Sequence, residues 1–494
     1  MTKNTDAGRR MIVQGSISTA LGFGIRLGAR LLFLWVAGRL FGVTLFGAFG
    51  LAVAVVELAV SAGGLGMKRM LFKLLDERPD DRPAIHIVLD CALLVAAASL
   101  LLAAIIMTIV GLAPALLQSG ATGPALAIVA PMIAGQALLD LILAATRWQR
   151  KIRYEVTARS IVEPYAGLAV AVAAYASGFV AIGLPLSYWG GTLAALAYAV
   201  FGLRRSFGSF QLRDYRTSPG ALIHAVRTTG AATFSDTINA LFGRIDLYLV
   251  GALLGEAAAG IYGMARQGRT PIRQVRQSFD GLLTPLIART LQSDGAIATG
   301  AATASAARLI LSIQLALLIA LIGIGRQLLG WIGPEFAAGY VAMVLLALAE
   351  AIQSALGLTD LILLYRRPSL TLALTGAGIA INVAAAFALT PSLGIEGAAA
   401  AAVLANVATA LLRRFMLHEG FGIRIPLRYN GGLFACAAVG SVGVVAVARL
   451  LDPGLTSLVA ALPLAAGLAV YAVMLKAWTR LAPGALSLAG FRAE

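Results

Sequence analysis

Residues 85–112 read IHIVLDCALLVAAASLLLAAIIMTIVGL, a run whose only His, Asp, Glu, Lys or Arg residues are His86 and Asp90 near its start. A helix needs about 20 mostly apolar residues to cross the hydrocarbon of a bilayer, and this run exceeds that length without help from its neighbours. A transmembrane strand would show roughly 10 residues of alternating polarity, which this run lacks. The whole chain has the same character. Of 494 residues, 59% are hydrophobic and 13% are charged, and the mean hydropathy is +0.86. The charged share is about half the roughly 25% of ordinary soluble domains, which excludes a soluble enzyme and a disordered chain. Cys91 and Cys436 both lie in apolar runs, which excludes a disulfide scaffold.

Thirteen further segments of this kind surround the first. The fourteen candidates cover about 12–38, 43–64, 85–112, 122–146, 160–178, 182–203, 227–253, 257–287, 305–325, 336–364, 369–389, 394–414, 430–449 and 455–475. The expected fold is therefore all-α and polytopic, with about 14 transmembrane helices. The first run is long, carries arginines and does not resemble a cleavable signal peptide; Arg9-Arg10 read as an anchor on the inner side.

The formal net charge is +16, from 39 Lys+Arg against 23 Asp+Glu. On a soluble protein that excess would suggest nucleic acid. Here the cations punctuate apolar runs, so they report topology, and no nucleic-acid partner is expected. With the N-terminus in the cytoplasm, 27 Lys+Arg fall on the cytoplasmic side and three (Arg39, Arg326, Arg449) on the outer side. One missed span would scramble that split, so the reading is N-in, C-in with an even number of spans, in the bacterial cytoplasmic (inner) membrane.

Short outer connections leave no room for an extramembrane catalytic domain, which weighs against a membrane glycosyltransferase or polymerase. None of the five lysines precedes Ser or Thr, so a phosphate-binding loop of the GxxxxGK[ST] type is absent, and with it an internal ATPase. There is no HExxH and no CxxC. His86, His224 and His418 read as interfacial polar residues and not metal ligands. A transporter without a catalytic motif, a metal or a resident cofactor is the expectation.

A glycine pattern occurs twice. Gly38-Arg-Leu-Phe-Gly42 followed by Gly47-Ala-Phe-Gly50 joins the first two candidate spans. Gly251-Ala-Leu-Leu-Gly255 followed by Gly260-Ile-Tyr-Gly263 joins the seventh and eighth. The spacings agree and the offset is 213 residues, with Phe49 matched by Tyr262. Six spans separate the copies, so both point the same way, as in a parallel repeat about an axis along the membrane normal. Two six-helix lobes follow from this: an N-lobe at 1–203 and a C-lobe at 227–416. A basic linker at 204–226 joins them, and residues 417–494 hold two extra helices and the tail. The linker carries Phe207, Phe210, Leu212 and Tyr215 among its arginines, in the manner of an interfacial helix.

Ionisable groups at bilayer depth cost roughly 2.5–3.5 kcal/mol each on insertion scales and normally face an interior or a wet cavity. The eighth span carries Arg266, Arg269, Arg273 and Arg276 within an arc of roughly 80° at 100° per residue. The first carries Arg26 and Arg30, four apart on one face. Guanidinium stays charged when poorly solvated and its fork matches phosphate oxygens, so these six are the candidate pyrophosphate-binding residues. Glu57, Asp236, Arg244, Asp246 and Glu350 are the candidate coupling or charge-balancing residues. Each acid either neutralises an arginine or binds a coupling proton or sodium ion. Asp90, Asp140 and Glu163 lie nearer helix ends, where solvated or capping roles are expected. Pro271, inside the arginine stripe, should kink its helix.

Several stretches together resemble the polysaccharide transporter branch of the multidrug/oligosaccharidyl-lipid/polysaccharide exporter superfamily. They are Gly38 to Gly50 with the run to Gly66 and Met67; Arg244-Ile-Asp-Leu-Tyr-Leu-Val-Gly251 through Gly260-Ile-Tyr-Gly-Met-Ala265; Ser278-Phe-Asp-Gly-Leu-Leu-Thr-Pro285; and Asn382 through Leu393-Gly-Ile-Glu-Gly-Ala-Ala399. The resemblance implies an inner-membrane flippase that moves undecaprenyl-pyrophosphate-linked oligosaccharide repeat units for O-antigen, capsule or exopolysaccharide synthesis, by alternating access through an arginine-lined cavity. Its implied partners are that lipid-linked oligosaccharide, membrane lipids and polysaccharide polymerase machinery. Lipid II flippases are similar in placing arginines in the first and eighth spans, with Arg26 and Arg266 or Arg269 the nearest counterparts. The rivals are a lipid II flippase and, less favoured by the sign of the charge, a multidrug/cation antiporter.

Overall fold

The computed structural model describes residues 2–79, 82–112, 120–208, 215, 217, 219–293, 295–450 and 461–482; for 2–27, parts of 280–293, 365, 368, 449, 450 and 461 it describes backbone alone. Every regular element among the described residues is a helix. The chain forms two compact units, Met1–Arg244 and Ile245–Glu494.

The first unit contains α1 (Thr2–Gly63), α2 (Met67–Asp76), α3 (Ala84–Leu112), α4 (Thr122–Val129) and α5 (Met132–Trp148). It continues with α6 (Arg153–Thr157), a π-helical turn (Ala158–Val162), α7 (Glu163–Ala176), α8 (Val180–Phe207) and α9 (Pro219–Phe242). Two closely packed pairs organise it. A Cβ on Gly191 of α8 would lie 2.8 Å from the Glu163 carbonyl at the start of α7, and one on Gly167 would lie 3.1 Å from the Ser187 carbonyl. Small residues therefore bring these backbones together, the usual way to gain contact between helices when lipid competes equally for apolar surface. The α5 helix packs on both α3 and α8, with Leu139, Leu141, Leu143 and Ala144 almost fully buried.

The second unit contains α10 (Ile245–Leu254), α11 (Glu256–Gly268), α12 (Thr270–Ser293), α13 (Gly295–Ile332) and a 3₁₀ turn (Pro334–Gly339). It ends with α14 (Tyr340–Ala355), α15 (Thr359–Arg366), α16 (Pro368–Phe421), α17 (Asn430–Leu450) and α18 (Ala461–Leu481). The α13 helix is its centre, and Leu311, Leu315, Ile319, Leu433, Val444 and Tyr471 form one core that ties α17 and α18 to it. Those two helices cross at glycines: a Cβ on Gly467 would lie 2.9 Å from the Gly440 carbonyl. Outward-facing side chains remain apolar, as with Leu101, Phe234, Val442 and Val473, which suits a surface solvated by lipid.

Eight described helices are long and apolar enough to cross a membrane, and ten if the bent pairs α4–α5 and α9–α10 each form one span. The chain is a multi-pass membrane protein. The count of fourteen exceeds this range for physical reasons. The helices α1 and α16 each contain a glycine break, at Gly42 and Gly394, that divides one long helix into two candidate spans. The α7 helix is short, and α12 carries too many charged residues to register as apolar.

The duplicated glycine motif has a matching backbone. Gly42 sits at φ 73, ψ 178 and Gly255 at φ 87, ψ −177. This combination is nearly closed to residues with a Cβ, so the second glycine of each copy marks the turn where one helix gives way to the next.

Candidate functional site

The first unit carries an open cavity of about 440 Å³ whose polar wall includes Arg30, Glu57, Arg159, Glu163 and Arg244. Phe33, Phe49 and Tyr188 give it aromatic walls, with the Phe49 and Tyr188 rings edge-to-face at 6.5 Å. Glu57 of α1 pairs with Arg244, which follows α9. Arg159 bridges two carboxylates: Nη1 lies 2.7 Å from Glu163 Oε2, and Nη2 contacts Asp140 of α5. Gln136 Nε2 donates to the other Glu163 oxygen at 3.3 Å. Lys68 of α2 lies 2.9 Å from Asp140, and Arg69 lies 2.5 Å from Asp236 of α9.

Local structure sets this arrangement. Arg159 sits on the π-helical turn, and such turns displace a residue from its α-helical register and recur at functional positions. The close contact of α7 with α8 places Glu163 and Tyr188 on neighbouring walls. The Tyr188 hydroxyl is buried and makes no hydrogen bond to protein.

In the second unit the arginines of α11 and α12 meet acids from three other helices. Arg266 Nε lies 3.4 Å from Asp246 Oδ2, and both side chains are almost buried. Asp246 also accepts from the Tyr262 hydroxyl at 2.9 Å and from the Leu247 amide at 2.9 Å. Arg269 and Arg273 share Glu350 of α14, at 3.9 and 3.1 Å. Arg276 pairs with Asp360 of α15, and Arg413, donating to Thr375 Oγ1 at 3.2 Å, is a second cation near that carboxylate. Five guanidiniums thus share three carboxylates, leaving an excess of positive charge. The stripe is interrupted: α11 ends at Gly268 and α12 begins at Thr270. Pro271 has no amide hydrogen to continue the helix through this point.

Residues 12–291, more than half of the chain, match the family model described as "Polysaccharide biosynthesis protein". The chain belongs to this family. The fold of this polysaccharide biosynthesis family member is similar to that of the lipid II flippase MurJ in an inward closed conformation, with a TM-score of 0.73 at 12% identity, covering 94% of this chain and 100% of that one. It is also similar to an inward-facing multidrug resistance MATE family transporter of the MOP superfamily, with a TM-score of 0.60 at 15% identity over 79% and 93% of the two chains. A Vibrio cholerae MATE transporter gives 0.50 at 12% identity over 81% and 97%. No curated protein matches the chain by sequence.

In this family member the residues singled out from sequence fall into separate groups. Arg30, Glu57 and Arg244 meet at the cavity of the first unit. Asp236 lies instead beside Lys68, Arg69 and Asp140. Arg266, Arg269, Arg273 and Arg276 all pair within the second unit, with Asp246, Glu350 and Asp360. The side chain of Arg26 lies outside the described residues, as do Phe210 and Leu212 of the linker.

Sequence reading overlooked Arg159, Glu163 and Tyr188 as site residues, and Asp360 and Arg413 as partners of the arginine stripe. Arg159 and Glu163 are four apart and pair along their own helix, a spacing that was available as a signal. The repeat offers a second signal. At the 213-residue offset, Phe33 and Phe49 correspond to Asp246 and Tyr262. One copy holds two aromatic rings on a cavity wall and the other a hydrogen-bonded acid beside an arginine.

The described part of the linker is anchored. The Tyr215 hydroxyl donates to Asp90 Oδ1 at 2.6 Å, Thr217 Oγ1 donates to the same oxygen at 3.1 Å, and Arg82 lies 2.6 Å from Oδ2. Burial and the hydrogen bond to Asp90 raise the Tyr215 hydroxyl above its ordinary range, so it stays a neutral donor through physiological pH.

Proposed function

We propose that this protein is a flippase that moves undecaprenyl-pyrophosphate-linked oligosaccharide repeat units across the bacterial cytoplasmic membrane, for O-antigen, capsule or exopolysaccharide synthesis. The observation that carries the reading is the sharing of Glu350 by Arg269 and Arg273. A cation excess within a membrane protein is costly to maintain, and it favours an anionic cargo such as a pyrophosphate over a cationic drug. Membership of a polysaccharide biosynthesis family supports the sugar-bearing nature of that cargo.

In this reading the chain transports and does not catalyse. Its termini are cytoplasmic. Arg26, Arg30, Arg266, Arg269, Arg273 and Arg276 hold the pyrophosphate, and the polyprenyl tail stays in lipid. The acids restrain the arginines until phosphate oxygens compete for them. Alternating exposure of the arginine-lined cavity to the two sides then carries the head group across without ATP, and polymerase machinery takes up the sugar unit on the outer side.

Reconstitution tests this. Purified protein in liposomes containing undecaprenyl-pyrophosphate-linked fluorescent oligosaccharide should expose the sugar to an external glycosidase faster than empty liposomes do. Equal rates would refute the proposal. The second reading, a lipid II flippase, is favoured by the likeness to MurJ over 94% of the chain. Faster exposure of lipid II than of the oligosaccharide carrier in the same liposomes would select it.

A further inference from the structure

Four exposed arginines of the second unit gather where α15, α16 and α17 meet. Arg366 closes α15 and Arg367 precedes α16, and both lie over the Phe421 ring, at 5.8 and 5.9 Å. Arg424 and Arg428 sit on the segment 422–429 that joins α16 to α17, and Arg428 lies over the Tyr429 ring at 4.6 Å. Residues 421–429 reach at most about 29 Å even when fully extended, so the four cations fall on one strip. Ile423 and Ile425 are buried in the same core as Leu363 and Leu417, which leaves Arg424 between them on the outer side. The acids of α15 and of the last turns of α16 are Asp360 and Glu419. Asp360 pairs with Arg276, and Glu419 lies 3.1 Å from His418 Nδ1. Arg366, Arg367, Arg424 and Arg428 make no ion pair among the described residues.

A guanidinium over a ring uses its flat face and leaves its N–H donors in plane around the edge. Arg366 and Arg367 are thus held near one ring, where like charges repel, with their surfaces open to a ligand. A phosphate relieves that repulsion and accepts from such donors in pairs. The neighbouring surface indicates what the phosphate is attached to. Leu364 of α15 and Leu411 and Phe415 of α16 are exposed close to the arginines, and apolar side chains there suit acyl chains and not water. An acidic protein would meet the charge and leave these side chains uncovered. The amine of a zwitterionic headgroup would add a fifth cation to the strip. A phosphate next to acyl chains, with net negative charge, is an anionic phospholipid.

We infer that this strip binds an anionic phospholipid of the surrounding bilayer, with Arg366 and Arg367 on the phosphate, Arg424 and Arg428 beside it, and the acyl chains along α15 and α16. The bound lipid ties the 422–429 segment, and with it the start of α17, to the start of α16. None of these four residues is among the arginines proposed to hold pyrophosphate, so the site stands whatever the cargo is.

Phospholipid binding by the full-length protein in an uncharged detergent tests it. The probes are phosphatidylglycerol and phosphatidylcholine with the same acyl chains. Phosphatidylglycerol should bind saturably and about tenfold tighter or more. Arg366→Gln with Arg367→Gln should weaken it about thirtyfold, the worth of two cations at a lipid surface, and leave phosphatidylcholine unchanged. Arg424→Gln with Arg428→Gln is the second pair and should act in the same direction; it decides if the first pair fails to fold. Arg204→Gln with Arg205→Gln is the control. It removes two exposed arginines of the first unit, one of them over the Phe201 ring at 5.4 Å, and should leave binding unchanged. Equal binding of the two lipids, or equal weakening by all three double variants, would overturn the site. Poly-L-glutamate that binds as tightly as phosphatidylglycerol, and is lost in the second-unit variants, would assign the strip to an acidic protein and overturn the lipid.

Discussion

Gly42 and Gly255 lie 213 residues apart and hold the same backbone conformation, extended in ψ and positive in φ, each at the turn between two helices of its own unit. A repeat legible only as glycine spacing is thus carried through to local geometry. Alanine at either site should cost about 1–3 kcal/mol, because a Cβ is excluded from this region. Gly50→Ala is the control. It sits in regular helix with nothing within 4 Å of the added carbon and should not lower the melting temperature in detergent.

Asp246 should be far less tolerant than its partners. Its loss takes from the nearly buried Arg266 guanidinium the carboxylate that lies 3.4 Å away, and breaking such a pair typically costs about 3–5 kcal/mol. Tyr262→Phe removes one hydrogen bond to a carboxylate, worth about 1.5–3 kcal/mol. Asp246→Leu combined with Arg266→Met should recover most of the loss. Thermal unfolding followed by size-exclusion chromatography reads all three variants, and an Asp246→Ala protein as stable as wild type would contradict the pairing.

The shared carboxylate predicts an asymmetry. Arg273 is 41% exposed and Arg269 only 10%. Arg273→Ala leaves Glu350 with Arg269 and should cost less than about 1 kcal/mol. Glu350→Gln takes the shared carboxylate from both cations at once and should cost several times more. Equal effects in the same unfolding assay would show that Glu350 serves only one of them.

The anchor at Asp90 makes the linker sensitive to one substitution and to alkaline pH. Asp90→Asn should speed tryptic cleavage at Arg213 and Arg216, because Tyr215, Thr217 and Arg82 lose a charged acceptor. The Tyr215 hydroxyl is raised in the folded state, so its neutral form is the one favoured. Its contribution is complete below the ordinary tyrosine value of about 10 and disappears as pH rises through the raised folded value. Cleavage of wild type should therefore accelerate only on the alkaline side, and Asp90→Asn should weaken that dependence without abolishing it, because burial of Tyr215 remains.

The helical fold was legible because the bilayer demands long apolar runs, and residues 85–112 meet that demand alone. The number of spans was less legible. Hydropathy cannot tell a helix broken at Gly42 or Gly394 from two helices joined by a loop, since the break is a single residue. The arginine stripe of α11 and α12 could be read from periodicity, but its partners could not, because Asp360 and Glu350 come from distant helices. Arg159 and Glu163 were hidden for a different reason. Charges at the edge of an apolar run read as loop residues, and only a π-helical turn shows that Arg159 is on a cavity wall.

The central claim is that guanidiniums on the first and eighth candidate spans carry a phosphorylated lipid across the membrane. Flipping of undecaprenyl-pyrophosphate-linked oligosaccharide in liposomes by the triple variant Arg26→Ala, Arg266→Ala, Arg269→Ala, matched to wild type for folded protein, tests it most directly. The account predicts loss of transport to the rate of empty liposomes; a variant that flips at the wild-type rate would contradict it.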